Sequence, residues 1–379
     1  MHNPAPMQKV IHRENIKQAL QVRGWKQKDL AAALGVTAQS VTNWLRGSDF
    51  PRPDKLLKLA TTLQMGFADL VKLEAAGQPV VAFRKKAGTK TTDGHISKAM
   101  VMGELLKALV PFLPELPVLR LQLQQPSTDY EKLQTLASQV RHRLGLGEQA
   151  AISYKDLLSE FDNNGAVVAP VLWGQKQNHK NALHILLPQE RVTFIFLNLD
   201  THQEDFKFWM AHELAHVYTP ELAGKNEGED FADAFAGALL FPKALAQKTY
   251  EEASTGNKTA EKKLLEAQAQ AYGISLYSVF SEVNRYAKSQ GLTLLKHTDA
   301  QIHAIRSMQR GGTVSETLFA PVPAEPSAYV AAVKNVFRSS FFESLQRMIK
   351  SKQTGPGYIQ QVMDIPMQDA IALHGELSR

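Results

Sequence analysis

The spacing of apolar residues changes twice along this chain of 379 residues, and the two changes divide it before any motif is considered. From 15 to 73 apolar positions recur at helical spacing, cut by Gly24, Gly35, Gly47 and the Pro51/Pro53 pair into four or five short helices. The stretch 76–98 loses that period and gathers Gly, Thr and Lys, the composition of an exposed linker. Helix-like sequence returns at 99–129, broken by Pro111, Pro114 and Pro117. In 130–144, Leu133, Leu136, Ala137, Val140 and Leu144 mark an amphipathic face. Short, partly β-branched runs at 166–172, 182–187 and 192–197 then read as three strands of one small sheet. Helices resume at 201 and continue to about 291. The remainder combines Pro321, Pro323 and Pro326 with predicted helices at 328–350 and 368–377. The expectation is a multidomain, mainly α protein. It has an all-α five-helix unit at 10–75, a basic linker at 76–98 and a helical connector at 99–129. An α+β domain follows at 130–291, then a helical C-terminal region at 292–379 that carries no motif.

Charge is segregated in the same way. The total is +6, but residues 1–110 carry 17 basic and 8 acidic side chains, against 26 and 29 in the rest. A positive end on a mildly acidic body is the electrostatic footprint of a nucleic-acid-binding module. There is no cysteine, which removes disulfides, thiol nucleophiles and every Cys-containing zinc site. Any metal must then be held by His, Asp or Glu. No apolar run approaches the ~20 residues of a membrane-spanning helix, so a soluble cytoplasmic protein with no membrane partner is expected.

Within the basic end, KQKDLAAAL at 26–34 forms a short helix closed by Gly35, and TAQSVTNWLR at 37–46 begins another after a tight turn. Leu30, Ala31, Leu34, Val36, Val41 and Trp44 supply a core. Ala38, Gln39, Ser40, Thr42 and Asn43 stay small and polar on the open face, suited to reading base edges in a major groove. Thr37 fits an N-cap that leaves backbone N–H groups facing a phosphate. Residues 12–73 resemble the lambda-repressor-like (XRE) helix-turn-helix domain, carried by GWKQKDLAAALGVTAQSVTNWLRG and the Pro-led helix that follows. The resemblance implies that Gln39 and Asn43, with Ala38, face bases of a double-stranded DNA operator, that Gln27 touches a phosphate, and that the protein works as a homodimer. Where many members pair an Arg with a Glu, this chain has Leu20 and Leu45, an exchange of a buried ion pair for apolar contact.

The chemistry is concentrated at 212–216, His-Glu-Leu-Ala-His. Thr201 and Glu204 fit a capping box before it, and Phe206, Met210, Leu214 and Val217 mark the buried stripe of a helix ending before Pro220. Four residues advance a helix by ~400°, so His212 and His216 project to one side and can share a metal. Glu213, one step round, lies where a carboxylate can take a proton from water held by that metal. A catalytic zinc commonly takes three protein ligands. The next helix, EDFADAFAGALL at 229–240, offers Glu229, with Glu227 and Asp230 as competitors. Glu229 is preferred because Asp233 follows one turn later and can accept the second ring N–H of a ligand histidine. Tyr218, Tyr277 and His297 are candidate oxyanion donors, and no role follows for Asp162 or Lys207.

Residues 130–290 resemble the ImmA/IrrE metallopeptidase domain. The likeness is carried by VRHRLGLG, DLLSEFDNNGAVV, the short sheet, FKFWMAHELAHV, EDFADAFAGALLFP and YGISLYSVFSEVNRYAKSQG. The resemblance implies a zincin-like α+β fold with Zn2+ bound by His212, His216 and Glu229, and Glu213 as general base. It also implies a protein substrate, a transcriptional repressor or antitoxin-like partner in a stress or phage circuit. The reading is a DNA-binding regulator fused to a zinc endopeptidase. The alternatives are a non-catalytic repressor whose peptidase-like domain senses a ligand or partner, and a protein that cleaves itself within 76–98.

Overall fold

The computed structural model describes the chain except for residues 1–6, 47–48, 76–77, 85–92, 116, 118–119, 175–181, 309–310, 320 and 323. It divides into two compact units, Met1–Gln78 and Pro79–Arg379. The expected break at Gly47, and residues 76–77 and 85–92 of the Gly/Thr/Lys-rich stretch, lie outside the described residues.

The first unit runs β1 (Met7–Ile11), α1 (Arg13–Val22), α2 (Gln27–Leu34), α3 (Ala38–Arg46), α4 (Pro53–Leu63), α5 (Phe67–Leu70) and β2 (Val71–Ala75). Its core is Ile16, Leu20, Leu30, Leu34, Val41, Trp44, Leu45, Leu59 and Leu63. Leu20 and Leu45 are both buried in this core, the apolar contact expected in place of a buried ion pair. Gly35 closes α2 in the left-handed conformation, φ 65°, and the Val36 N–H returns to the Ala31 carbonyl at 3.0 Å. That reversal brings α3 against α2. The Arg23 guanidinium donates to the Leu63 carbonyl at 2.7 Å and satisfies the end of α4. The unit is not purely helical: β1 and β2 pair antiparallel, Met7 opposite Ala75 and Ile11 opposite Val71. Two five-residue strands distant in sequence are too short to announce a period of their own.

The second unit is built on a four-stranded sheet of order β3-β5-β6-β4, from β3 (Val80–Arg84), β4 (Ala166–Val171), β5 (Ala182–Leu187) and β6 (Val192–Asn198). β4 and β6 are parallel; the other pairs are antiparallel. β3 corrects the linker reading of 76–98, because residues 80–84 are an edge strand of this sheet. The Val-Val-Ala-Phe run has strand chemistry, but it is short and set among Gly, Thr and Lys. Averaged over the window, it disappears into the flanking composition.

Helices α6 (Asp93–Lys107), α7 (Tyr130–Arg143) and α8 (Tyr154–Asn163) precede β4. After β6 come α9 (Gln203–Tyr218), α10 (Asn226–Leu240), α11 (Lys243–Thr255), α12 (Lys258–Tyr272) and α13 (Leu276–Ser289). The connector reading of 99–129 also needs correction. Ala99, Met102 and Leu106 of α6 lie in the same continuous core as the sheet.

The C-terminal region forms α14 (Asp299–Met308), α15 (Val314–Leu318), α16 (Pro326–Asn335), α17 (Phe341–Lys352), α18 (Pro356–Met363) and α19 (Met367–Leu377). The single helix expected at 328–350 is broken at Val336–Ser340, where Arg338 takes φ 52° and the Ser339 hydroxyl donates to the Val168 carbonyl of β4. A serine bonded outward to another strand's backbone competes with helix continuation. This region packs on the sheet and completes it. Phe341 meets Phe194 and Phe196 edge-on at 6.5 and 6.0 Å, Tyr329 donates to the Pro170 carbonyl, and the Trp173 indole donates to the Met363 carbonyl at 2.8 Å. Among the described residues no helix is long and apolar enough to cross a membrane.

Candidate metal centre

Helix α9 carries His212, Glu213 and His216 into a buried layer between the sheet and α10. The predicted Thr201–Glu204 capping box is not made; the N-cap is His202. Tertiary partners hold the helix start instead. The Val314 N–H donates to the Thr201 carbonyl at 3.0 Å, the Gly311 N–H donates to Glu204 at 3.3 Å, and His202 Nδ1 donates to the Gly311 carbonyl at 2.8 Å. A segment 110 residues downstream thus supplies what local sequence was expected to supply.

His212 and His216 are fully buried, and their Nε2 atoms face one another at 3.2 Å. α10 begins a turn earlier than expected, at Asn226, and delivers Glu229 to the same point. Glu229 Oε1 is 3.2 Å from His216 Nε2, and Oε2 is 3.5 Å from His212 Nε2. His212 Nδ1–H donates to Asp233 Oδ1 at 2.9 Å, which leaves the Nε2 lone pair directed at Glu229. Burial works against ionisation of Glu229, yet hydrogen bonds and charge from His212 and His216 outweigh it and hold the carboxyl well below the usual range. Two imidazole nitrogens and a carboxylate oxygen crowded together in this way repel unless a cation or proton lies among them, so the donor set fits a metal ion. Among the described residues these three are the cluster with that convergence. The competing carboxylates Glu227 and Asp230 are exposed on α10, outside it.

Glu213, on the same helix, reaches β5. Its Oε2 lies 3.7 Å from Nδ1 of His184, a residue the sequence reading passed over. His184 is 1% exposed, and its ring packs 5.4 Å from that of His216. Burial first, then the neighbouring histidines, push its pKa well below the ordinary value. The available signal was a lone polar residue inside the apolar strand ALHILL, which is hard to separate from a satisfied core histidine.

Three further contacts hold the two helices in place. Arg141, at the end of α7, is buried and donates to the Leu239 carbonyl of α10 at 2.6 Å, to Gly147 at 2.8 Å and to Ala150. Lys207 of α9 donates to the Tyr272 carbonyl at 2.7 Å, closing the C-terminus of α12, and burial lowers its pKa. Glu282 of α13 lies against Gly237 of α10, and burial, opposed by Arg285, raises it to about 7. Of the candidate oxyanion donors, Tyr218 gives its hydroxyl to Glu160 at 2.6 Å and His297 pairs with Glu261 at 2.8 Å. Tyr277 reaches Asp299 at 3.3 Å.

In the first unit, the polar residues expected at a DNA surface share the outer side of α3 and the start of α2. Thr37 Oγ1 accepts from the Ser40 N–H at 3.0 Å, as an N-cap does. Gln39 donates to Asn43 Oδ1 at 2.7 Å, and Thr42 donates to Gln27 Oε1 at 3.0 Å, which places Gln27 beside α3. Ala38 is exposed at the first turn.

Comparison with known families agrees with this division. Residues 16–70 match the family model described as Helix-turn-helix, and residues 174–279 match a peptidase-family model described as IrrE N-terminal-like domain. The second match spans β5, β6 and α9–α12. It leaves out α7, α8 and β4, from which the resemblance drew part of its support. No curated protein matches the chain.

Proposed function

We propose that this chain, which joins a helix-turn-helix unit to an IrrE-type peptidase domain, is a DNA-binding regulator that cleaves a regulatory protein. The observation that carries the reading is the convergence of His212, His216 and Glu229, with Glu213 on the adjoining helix position and Asp233 behind His212. His212, His216 and Glu229 would hold zinc. When bound there, the ion supplies Lewis acidity toward water and toward the scissile carbonyl. Glu213 takes the proton of the attacking water and returns it to the leaving amine. Asp233 keeps His212 in the tautomer that presents Nε2, and His184 walls the far side of Glu213 from solvent. In the first unit, Ala38, Gln39, Ser40, Thr42 and Asn43 face base edges, while Thr37 and Gln27 meet the phosphate backbone. The substrate class is a repressor or antitoxin-like protein.

The test is recovery of the partner that Glu213→Gln retains in the native cell. A retained protein that the unaltered chain cuts supports the reading. Unchanged regulation with Glu213→Gln would assign the peptidase-like unit to sensing instead.

A further inference from the structure

His184 is the polar member of an otherwise apolar row. At its level the four strands read Ala82, His184, Ile195 and Val168 from β3 to β4, and its same-face neighbours along β5 are Ala182 and Leu186. Alternation sets the face. Ile185, the next residue, is turned toward α6, where its Cγ2 stands 3.1 Å from the place a methyl group on Gly103 would take, so His184 is turned toward α9. There its side chain is 1% exposed, and neither ring nitrogen has a hydrogen-bond partner among the described residues. A polar ring buried in that condition loses its hydration with no bond in return, a cost that a leucine at this place would not carry. The group that His184 faces is the Glu213 carboxylate, also 1% exposed, with Oε2 at 3.7 Å from Nδ1. Roughly 0.8 Å separates this contact from an ordinary N–H···O bond. Such contacts are often long in ligand-free catalytic sites and tighten when the site is filled. The metal-ligand convergence consists of His212, His216 and Glu229, without His184.

We propose that His184 is the positioning residue for Glu213: its Nδ1–H donates to one carboxylate oxygen and fixes the rotation of the side chain, which leaves the other oxygen to take the proton of the attacking water. This rests on the proteolytic reading for the role of Glu213, but the contact itself requires no cleavage. It has a counterpart on α10, where Asp233 fixes the ring of His212. The metal-binding helix then has a ligand oriented from α10 and its base oriented from β5, and the histidine in the apolar strand has a use that packing alone does not give it. A catalytic group misplaced by ~1 Å costs on the order of 100-fold in rate.

Three variants separate positioning from packing. His184→Leu removes the donor, His184→Asn places an amide N–H where Nδ1 stood, and His184→Gln places one where Nε2 stood. With the partner recovered on Glu213→Gln as substrate, His184→Leu should lower kcat about 100-fold and leave KM within about threefold. His184→Asn should regain roughly tenfold of that loss, and His184→Gln should not. Equal kcat for the Asn and Leu variants overturns the proposal. Two readouts need no cleavage and stand even if the Asn variant fails to fold. In the zinc-loaded full chain carrying isotopically labelled histidine, a solvent-protected ring N–H resonance that is absent from His184→Leu should shift in Glu213→Gln. No such resonance, or one that Glu213→Gln leaves in place, overturns the proposal. The zinc affinity of His184→Leu should stay within about threefold of the unaltered chain, whereas a fall of about 10–100-fold would assign His184 to the support of His216 instead. A resonance that behaves as expected in a protein that cuts no partner would refute the proteolytic reading and keep the contact. Undiminished cutting by His184→Leu would do the reverse.

Discussion

His212 donates its Nδ1 proton to Asp233 across the gap between α9 and α10, at 2.9 Å. One carboxylate thereby fixes both the ring's tautomer and its rotation. Removing such a partner from a metal-binding histidine typically costs 10–100-fold in metal affinity. Asp233→Ala should weaken zinc binding by about that factor, read by competition with a chromophoric chelator, while far-ultraviolet circular dichroism stays unchanged. Undiminished affinity would remove Asp233 from the site.

Glu282 gives the second unit a pH-dependent stability. Its carboxyl is raised from 4.5 to about 7 by burial, with Arg285 opposing, Tyr130 on α7 nearby and Gly237 on α10 packed against it. A raised carboxyl means the folded state holds the proton more tightly than the unfolded one. Stability is then fully present below about pH 4.5, falls as pH rises toward 7, and is flat above, a loss on the order of 2–4 kcal/mol. Glu282→Gln should flatten this part of the melting-temperature profile between pH 5 and 8. A profile parallel to that of the unaltered protein would contradict the assignment.

The C-terminal helices are needed by the sheet. Phe341 is fully buried against Phe194 and Phe196. Phe341→Ala should cost about 3–5 kcal/mol in chemical denaturation. A loss below about 1 kcal/mol would show that the region packs loosely.

On the DNA side, Gln39 and Asn43 are hydrogen-bonded to each other, so their contributions should be coupled. With a site selected from a random pool, each alanine variant should lose about 1–3 kcal/mol of binding. The double variant should lose less than the sum. Full additivity would mean that the two side chains act alone.

The candidate cluster was legible because its parts are local. His212, Glu213 and His216 share one helix, and Glu229 and Asp233 share the next, each pair one turn apart. The rest depends on contacts that no window of sequence contains. β3 was hidden by its flanks, His184 by its apolar neighbours, and the α9 start by the distant Gly311–Val314 segment that replaced its expected cap. Lys207 looked roleless because it serves a carbonyl in another helix, as Arg141 also does. The interruption between α16 and α17 likewise follows from Ser339 reaching β4, not from a breaker residue.

Whether Glu213 works as the base for cutting another protein is read on the partner itself. The direct measurement incubates zinc-loaded protein with the partner recovered on Glu213→Gln and reads the products by mass spectrometry, with and without a chelator. The expected result is a single new pair of termini in the partner, produced by the unaltered chain, lost with the chelator, and reduced at least a thousandfold by Glu213→Gln. A partner that stays intact with the unaltered chain, or is cut equally by Glu213→Gln, would contradict it.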